Sequence, residues 1–165
     1  DAFRLIYRQE NSACLTLVLV GNEDDFGKMR DLLEKDGLNK SVIVKSNLSQ
    51  KDLYYLYDTS IALLVPLDPD NLQDKARFSQ KIAEYVSSKR PIITSQAGEI
   101  PYYFKNKESA LIVPYNAKGY ADGMLELLKN PSLADSIGNG GYQTGIRYFD
   151  YRIVGKELKG IIEKL

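Results

Sequence analysis

The sequence predicts an α/β fold: a three-layer α/β/α sandwich on a doubly wound, Rossmann-like parallel sheet. Two observations carry this prediction. Short apolar runs rich in β-branched residues alternate with amphipathic stretches along almost all 165 residues, the order expected when each strand is followed by a helix. The runs also lack polar–apolar alternation, which is typical of strands buried on both faces. Right-handed crossovers then place helices on both sides of the sheet.

The predicted strands are short apolar runs that end at turn-forming residues. The first extends from Leu15 to Val20, is interrupted only by Thr16, and stops at Gly21. Because it shows no alternation, we expect it to be buried on both faces. Further strands are predicted at residues 41–45, 61–65, 91–94 and 110–113.

The predicted helices lie between these strands and after the last one. An apolar stripe after the first strand predicts a helix that ends near Gly37. Ser49, with Asp52 three residues later, forms a capping pattern that begins the next helix. From residue 117 onward the sequence predicts three amphipathic helical segments, punctuated by Pro131 and by the glycine cluster at residues 138–141.

Composition argues against several classes of function. Lysine plus arginine and aspartate plus glutamate number 22 each, so no net field favours nucleic acid, and we expect no nucleic-acid partner. Histidine is absent, which removes serine–histidine and cysteine–histidine catalysis and the commonest zinc ligand. No glycine-rich loop has dinucleotide or P-loop spacing, and no residue cluster requires a metal. We therefore expect neither a cofactor nor a metal.

The single cysteine, Cys14, lies beside the first apolar run. This position predicts a buried, inert thiol rather than a reactive one. One unpaired cysteine also favours a reducing compartment, and we expect a cytoplasmic protein.

Acidic residues that follow two of the predicted strands form the first candidate site. Ligands of doubly wound sheets bind at the carboxyl ends of the strands. Asp24 and Asp25, with Asp68 or Asp70 after a later strand, could hold magnesium and a phosphoryl group, as in a receiver-like phosphoacceptor domain. Such a site needs a lysine at a later strand end, and residues 94–96 offer none. The alternative is that Asp24 and Asp25 occupy the first turn of a helix, where they favour its dipole.

A helix predicted from about residue 77 to residue 88 forms the second candidate site. It places Arg77, Lys81, Glu84 and Ser88 on one stripe. One interpretation is a solvated face on which Lys81 and Glu84 pair. The other is a diphosphate site at a strand's carboxyl end, where the first turn offers free N–H groups. Lys81 would then add positive charge, and Glu84 could accept hydrogen bonds from ribose hydroxyls.

The segment at residues 94–101 forms the third candidate site. A strand end with small and polar residues leads to Gly98 at the entrance of a helix. Glycine there lets a ligand approach the backbone, although an ordinary strand-to-helix turn has the same composition. Two loops of this kind facing one crevice favour a ligand site more than either does alone.

An ordered set of segments, from about residue 13 to the end, resembles one family. The run Arg77-Phe78-Ser79-Gln80-Lys81-Ile82-Ala83-Glu84-Tyr85, followed by Lys89-Arg90-Pro91-Ile92-Ile93-Thr94, is similar to the signature region of group 1 (family 4) retaining glycosyltransferases. In that family a phenylalanine-containing turn leads into a helix with a glutamate and then to Gly-Lys-Pro-Val/Ile. Segments similar to other motifs of the same domain lie at residues 15–21, 52–61, 97–101 and 110–114.

The resemblance implies the C-terminal, donor-binding half of a two-domain (GT-B type) enzyme whose N-terminal domain holds the acceptor. By position, Glu84 corresponds to the glutamate that binds the donor ribose. The residues implied to bind the donor are Phe78, Ser79 and Lys81 at the diphosphate, Lys45, Ser46 and Asn47 near the nucleobase, and Gly98, Glu99 and Ile100 near the diphosphate or sugar. Arg77, on the same helix stripe as Lys81, is also expected to bind the donor.

Two departures from the family pattern affect these expectations. Ala76 stands where the family often has a second glutamate, and Asp74 or Glu99 is the candidate to replace it. The family's domain also begins with a strand, then an arginine and a lysine that clamp the diphosphate, whereas Asp1-Ala2-Phe3 matches the helix after that loop. We expect residues 1–165 to be a fragment without the acceptor domain and the first strand, and to be inactive alone.

The expected partners are a nucleotide-sugar donor and the missing N-terminal domain, and a membrane-peripheral full-length protein is compatible with the resemblance. No catalytic residue is assigned. Two alternatives stay open: the receiver-like signalling domain, and half of a nucleotide-sugar epimerase with similar two-domain architecture.

Overall fold

The computed structural model describes residues 1–21, 23–76 and 78–164, with only the backbone described at Glu23. Strands and helices alternate as predicted, which confirms the α/β class. The elements in chain order are α1 (Ala2–Tyr7), β1 (Leu15–Val18), α2 (Glu23–Lys35), β2 (Val42–Lys45), α3 (Gln50–Thr59), β3 (Leu63–Val65), α4 (Leu72–Ala76), α5 (Gln80–Ser87), β4 (Ile92–Ser95), α6 (Ile100–Tyr103), β5 (Leu111–Val113), α7 (Ala117–Lys129), α8 (Pro131–Phe149) and α9 (Tyr151–Ile162).

All strand pairs in the described chain are parallel. β1 pairs with β2, with Leu15 opposite Val42. β3, β4 and β5 pair in that order, with Leu63 opposite Ile92 and Ile93 opposite Leu111. The described strands thus form a two-stranded and a three-stranded parallel sheet, with no backbone pairing between them among these residues.

The three-layer arrangement is visible in the central strand β4. Ile92 and Ile93 are 1% and 0% exposed, yet they belong to different core clusters. Ile92 packs in a cluster with Ile82 of α5, whereas Ile93 packs in a cluster with Leu127 of α7 and Ile137 of α8. Because successive strand residues point to opposite faces, helices cover both sides of this sheet, as the sequence predicted.

The first strand is shorter and less buried than predicted. β1 ends at Val18, which is 40% exposed, and Val20 is fully exposed. β1 pairs only with β2 in the described chain, so one of its edges is uncovered. The prediction for Cys14 was also wrong: this residue is exposed, because the paired strand begins only at Leu15.

Two helix boundaries follow the predicted local chemistry. The Ser49 side chain accepts a hydrogen bond from the Asp52 N–H at 3.2 Å and caps α3. α2 ends at Lys35, and Gly37 adopts a φ of +68°, the left-handed conformation that terminates many helices.

The sequence predicted that the glycines at residues 138–141 would separate two helices. This prediction was wrong, because α8 runs through them. A Cβ on Gly138 would lie 2.1 Å from the carbonyl oxygen of Lys89, and one on Gly140 would lie 2.0 Å from that of Glu108. These glycines therefore let α8 approach two loop backbones closely.

None of the described helices combines the length and the apolar character needed to cross a membrane.

Candidate functional site

Helix α5 begins at Gln80, three residues later than the sequence predicted, and Ser79 is its extended N-cap residue. The Ser79 hydroxyl makes no capping hydrogen bond, so no side chain of the N-cap residue covers the first turn. Of the first-turn N–H groups, that of Ile82 donates to the Ser79 carbonyl at 2.9 Å. α5 packs against β3 and β4. Its N-terminus therefore offers N–H donors and the positive end of the helix dipole to an anion. Arg77, predicted to belong to this site, lies outside the described residues.

Phe78 explains the later start of α5. Its half-buried ring contacts the Tyr103 ring, with centroids 5.6 Å apart, and the Phe149 ring, at 4.8 Å. This aromatic packing places the chain before α5 beside α6 and the end of α8. The structure thus brings the Phe78 ring against Tyr103, the last residue of α6.

Lys81 and Glu84 are both exposed, and no ion pair within 4.0 Å joins these two described residues. The structure therefore shows the solvated face of the first interpretation, but not the predicted pairing of Lys81 with Glu84. Instead, the Glu84 carboxylate accepts a hydrogen bond from the Tyr57 hydroxyl, with an O–O distance of 3.4 Å.

Tyr57, which contacts Glu84, was not predicted as part of the candidate site because it fits the apolar stripe of α3. It is only 8% exposed. Burial raises the pKa of its hydroxyl, and Tyr85 and Glu84 raise it further, so the phenol keeps its proton and acts as a donor. A hydroxyl-bearing residue at a core position was the available sequence signal.

The carboxyl ends of β3 and β4 are joined by a buried polar network. The Ser95 hydroxyl donates to the Leu67 carbonyl and accepts from the Leu67 N–H at 3.2 Å. Tyr120 donates to Ser95 at 3.3 Å, and Thr94 donates to the Val65 carbonyl at 2.9 Å. Burial raises the pKa of Tyr120. The network fixes the loop after β3 against the end of β4.

The segment after β4 leads through Gly98 into α6. Gly98 has a φ of +52°, a conformation that favours glycine. Glu99 is exposed, whereas Ile100 is 1% exposed. Of the three predicted donor-binding residues here, Gly98 and Glu99 are open to a ligand, and the Ile100 side chain belongs to the core.

The residues predicted to lie near a nucleobase border a small cavity of about 120 Å³. The cavity is lined by Phe26, Arg30, Val44, Lys45 and Ser46. Asn47 follows it with a φ of +52°, which asparagine tolerates better than most residues. Phe26 and Arg30 of α2 were not predicted. Among the described residues no hydrogen bond or ion pair links this cavity to Lys81 or Glu84.

The acidic residues of the receiver-like interpretation lie in the first turn of a helix or in hydrogen-bonded turns. Asp24 and Asp25 lie in the first turn of α2, as the alternative predicted. The Asp68 carboxylate accepts from the Asp70 N–H at 2.8 Å, and Asp74 accepts from the Asp68 N–H at 2.9 Å. Across the described ranges, no group of three or more cysteine, aspartate or glutamate side chains is placed to hold a metal ion.

Solved structures share this fold. Sucrose-phosphate synthase from Thermosynechococcus elongatus matches with a TM-score of 0.81 and 18% identity, over 99% of this chain and 41% of that one. HepE from Anabaena, crystallised with UDP, matches with a TM-score of 0.79 and 15% identity, over 100% of this chain and 44% of that one. The chain thus spans less than half of these proteins.

A solved C-terminal domain is closer in length. The C-terminal domain of the group 1 family glycosyl transferase LpcC from Francisella tularensis matches with a TM-score of 0.70 and 18% identity, over 90% of this chain and 76% of that one. No curated protein matches the sequence. The family model of group 1 glycosyl transferases matches residues 1–144. The chain therefore belongs to the group 1 glycosyl transferases.

Proposed function

We propose that this chain is the donor-binding, C-terminal domain of a retaining glycosyltransferase, which moves a sugar from a nucleoside diphosphate to an acceptor. One observation carries the proposal: α5 has an uncapped N-terminus, with Lys81 in its first turn and Glu84 one turn later, unpaired with each other. HepE, which has the same fold, has been crystallised with UDP and with UDP-glucose, and this supports a nucleotide-sugar as the ligand class.

The proposed chemistry is electrostatic. The first-turn N–H groups of α5 and the Lys81 ammonium group would stabilise the negative charge that grows on the departing diphosphate. The Glu84 carboxylate would accept hydrogen bonds from the ribose hydroxyls, which are stronger when the acceptor is charged. Gly98 would let the diphosphate or sugar approach the backbone. No metal is required, and no residue of this chain is assigned as catalytic.

The nucleobase is proposed to bind near the cavity beside β2. Lys45 and Ser46 line it, with Arg30 contributed by α2, and Asn47 turns the chain immediately afterwards. Polar groups around a Phe26 ring are typical of a site that combines base contacts with hydrogen bonding.

We also propose that the described sheet is incomplete and that the family's first strand belongs between β1 and β3. The support is the division into two parallel sheets that share one covering helix. Leu125 of α7 packs in the cluster containing Val42, and Leu127 of α7 packs in the cluster containing Ile93. An acceptor-binding N-terminal domain would complete the enzyme, and the chain alone is expected to lack transferase activity.

Calorimetric titration with UDP, GDP and ADP tests the proposed function. At least one of the three should bind, and Glu84→Ala should weaken that binding by about 1–3 kcal/mol, as expected for loss of hydrogen bonds to a charged group. Glu34→Ala, which removes another exposed helical glutamate, is the matched control and should bind normally. Unchanged affinity in Glu84→Ala would refute the ribose role, and no binding of any nucleotide would refute donor binding.

A further inference from the structure

Tyr57 carries a hydroxyl where packing alone needs only a ring. It lies near the end of α3, in a core cluster with Leu63 and Val65. Its ring meets the Tyr85 ring edge to face, with centroids 4.8 Å apart. Phenylalanine would supply the same contacts. The hydroxyl adds a polar group to a largely buried position, where an unpaired donor destabilises the folded chain.

The partner of this hydroxyl is Glu84, 27 residues later in the sequence. Within the described part of the chain, the contact is the one hydrogen bond made by either side chain. A glutamate on an exposed helix surface samples many rotamers, and ordering it opposes ligand binding. A fixed donor from the core restricts that freedom before any ligand arrives.

The contact leaves Glu84 able to bind more than Tyr57. The Tyr57 hydroxyl approaches Oε2, and a carboxylate has about four acceptor positions on its two oxygens. Oε1 and the second lone pair of Oε2 therefore remain for two hydroxyl donors. Vicinal ribose hydroxyls present two donors of this kind.

We propose that Tyr57 is a positioning residue of the donor site, whose hydroxyl holds the Glu84 carboxylate in the orientation that accepts the two ribose hydroxyls. The inference rests on the proposed function, in which Glu84 binds the ribose. The inference adds to the donor site a buried residue, Tyr57, that orients Glu84 before the ligand binds.

The test combines a hydroxyl deletion in the protein with one in the ligand. Tyr57→Phe keeps the ring and removes the donor. Affinities are measured by calorimetry for UDP, GDP and ADP and for their 2′,3′-dideoxy counterparts. For the nucleotides that bind, Tyr57→Phe should weaken ribonucleotide binding by about three- to tenfold and leave dideoxynucleotide binding unchanged. Tyr54→Phe is the control, because the Tyr54 hydroxyl contacts Gln50 instead, and it should alter neither affinity.

The outcomes separate this inference from the function on which it rests. If wild-type protein does not distinguish ribonucleotides from dideoxynucleotides, the ribose role of Glu84 fails and the inference fails with it. If wild-type protein distinguishes them but Tyr57→Phe loses equal affinity for both, Tyr57 is only structural. In a Glu84→Ala background, Tyr57→Phe should cost no further ribonucleotide affinity; an additive loss would also overturn the inference.

Discussion

Tyr120 of α7 and Ser95, the last residue of β4, share a buried hydrogen bond. The Tyr120 hydroxyl lies 3.3 Å from the Ser95 Oγ, and the two residues are 6% and 1% exposed. Ser95 also accepts from the N–H of Leu67. One buried serine therefore joins α7, the end of β4 and the loop after β3. This arrangement gives the carboxyl edge of the sheet a fixed shape.

Ser95→Ala should lower the free energy of unfolding by about 1–3 kcal/mol, because it leaves the buried Leu67 N–H without its partner. The Tyr120 hydroxyl would keep only its contact with the Val65 carbonyl, at 3.4 Å. Urea denaturation followed by circular dichroism measures the change. Ser136→Ala, at an exposed position of α8, should stay within about 0.5 kcal/mol of wild type. Equal stability of the two variants would show that the network contributes nothing.

Gly138→Ala should destabilise the fold, because its Cβ would lie 2.1 Å from the Lys89 carbonyl oxygen. The backbone must shift to accommodate it, and overpacking of this kind costs about 1–3 kcal/mol or more. Gly155→Ala in α9 is the matched control, since a Cβ there meets nothing within 4 Å. It should stabilise the helix by about 0.5–1 kcal/mol. Thermal and urea unfolding should therefore shift in opposite directions for the two variants.

Asp150 provides a pH-dependent cap of α9. Its side chain accepts hydrogen bonds from the Arg152 guanidinium group and from the Arg152 N–H, and these lower its pKa from 3.8 to about 2. Because the folded-state pKa lies below the unfolded one, the stabilisation is fully present above about pH 5. It is lost progressively as the pH falls through 3.8 and then through the folded-state pKa of about 2.

Carboxyl-detected NMR titration should place the Asp150 midpoint near 2. Arg152→Ala should raise that pKa toward 3.8, because it removes the side-chain donor. Lys156→Ala, on the same helix, should leave the midpoint unchanged. An Asp150 midpoint near 3.8 in the unmodified chain would contradict the capping role.

Lys81→Ala should weaken the binding of nucleoside diphosphates by about 1.5–3 kcal/mol, the scale of one hydrogen bond to a charged group. It should leave the binding of the corresponding nucleosides unchanged, because Lys81 is proposed to contact the diphosphate. The comparison uses UDP with uridine, GDP with guanosine and ADP with adenosine, and Lys156→Ala is the control. Equal losses for nucleoside and nucleotide would place Lys81 elsewhere.

The strands were predictable because a strand that is buried on both faces consists of a contiguous run of apolar residues. Ile92 and Ile93 lie side by side in the sequence, and only a sheet covered on both faces buries both. The start of α3 at the Ser49 cap and the end of α2 before Gly37 were predictable for a similar reason, since each depends on a few neighbouring residues. The order of the segments then identified the family.

What could not be predicted depends on contacts between distant residues. α5 starts late because Phe78 packs against Tyr103 and Phe149, and no local pattern contains that information. Gly138 lies inside α8 and lets that helix approach the loop at Lys89, a contact that the local sequence does not reveal. The hydrogen bond between Tyr57 and Glu84 likewise joins two helices whose relative placement appears only in the folded chain.

NMR titration of the ¹⁵N-labelled chain with UDP, GDP and ADP tests the central claim most directly. If α5 and the segment after β4 form the donor site, chemical-shift changes should centre on residues 78–84 and 95–100, without magnesium dependence. Changes confined to residues 21–26 and 68–70 that require magnesium would contradict the account and favour a phosphoacceptor site instead.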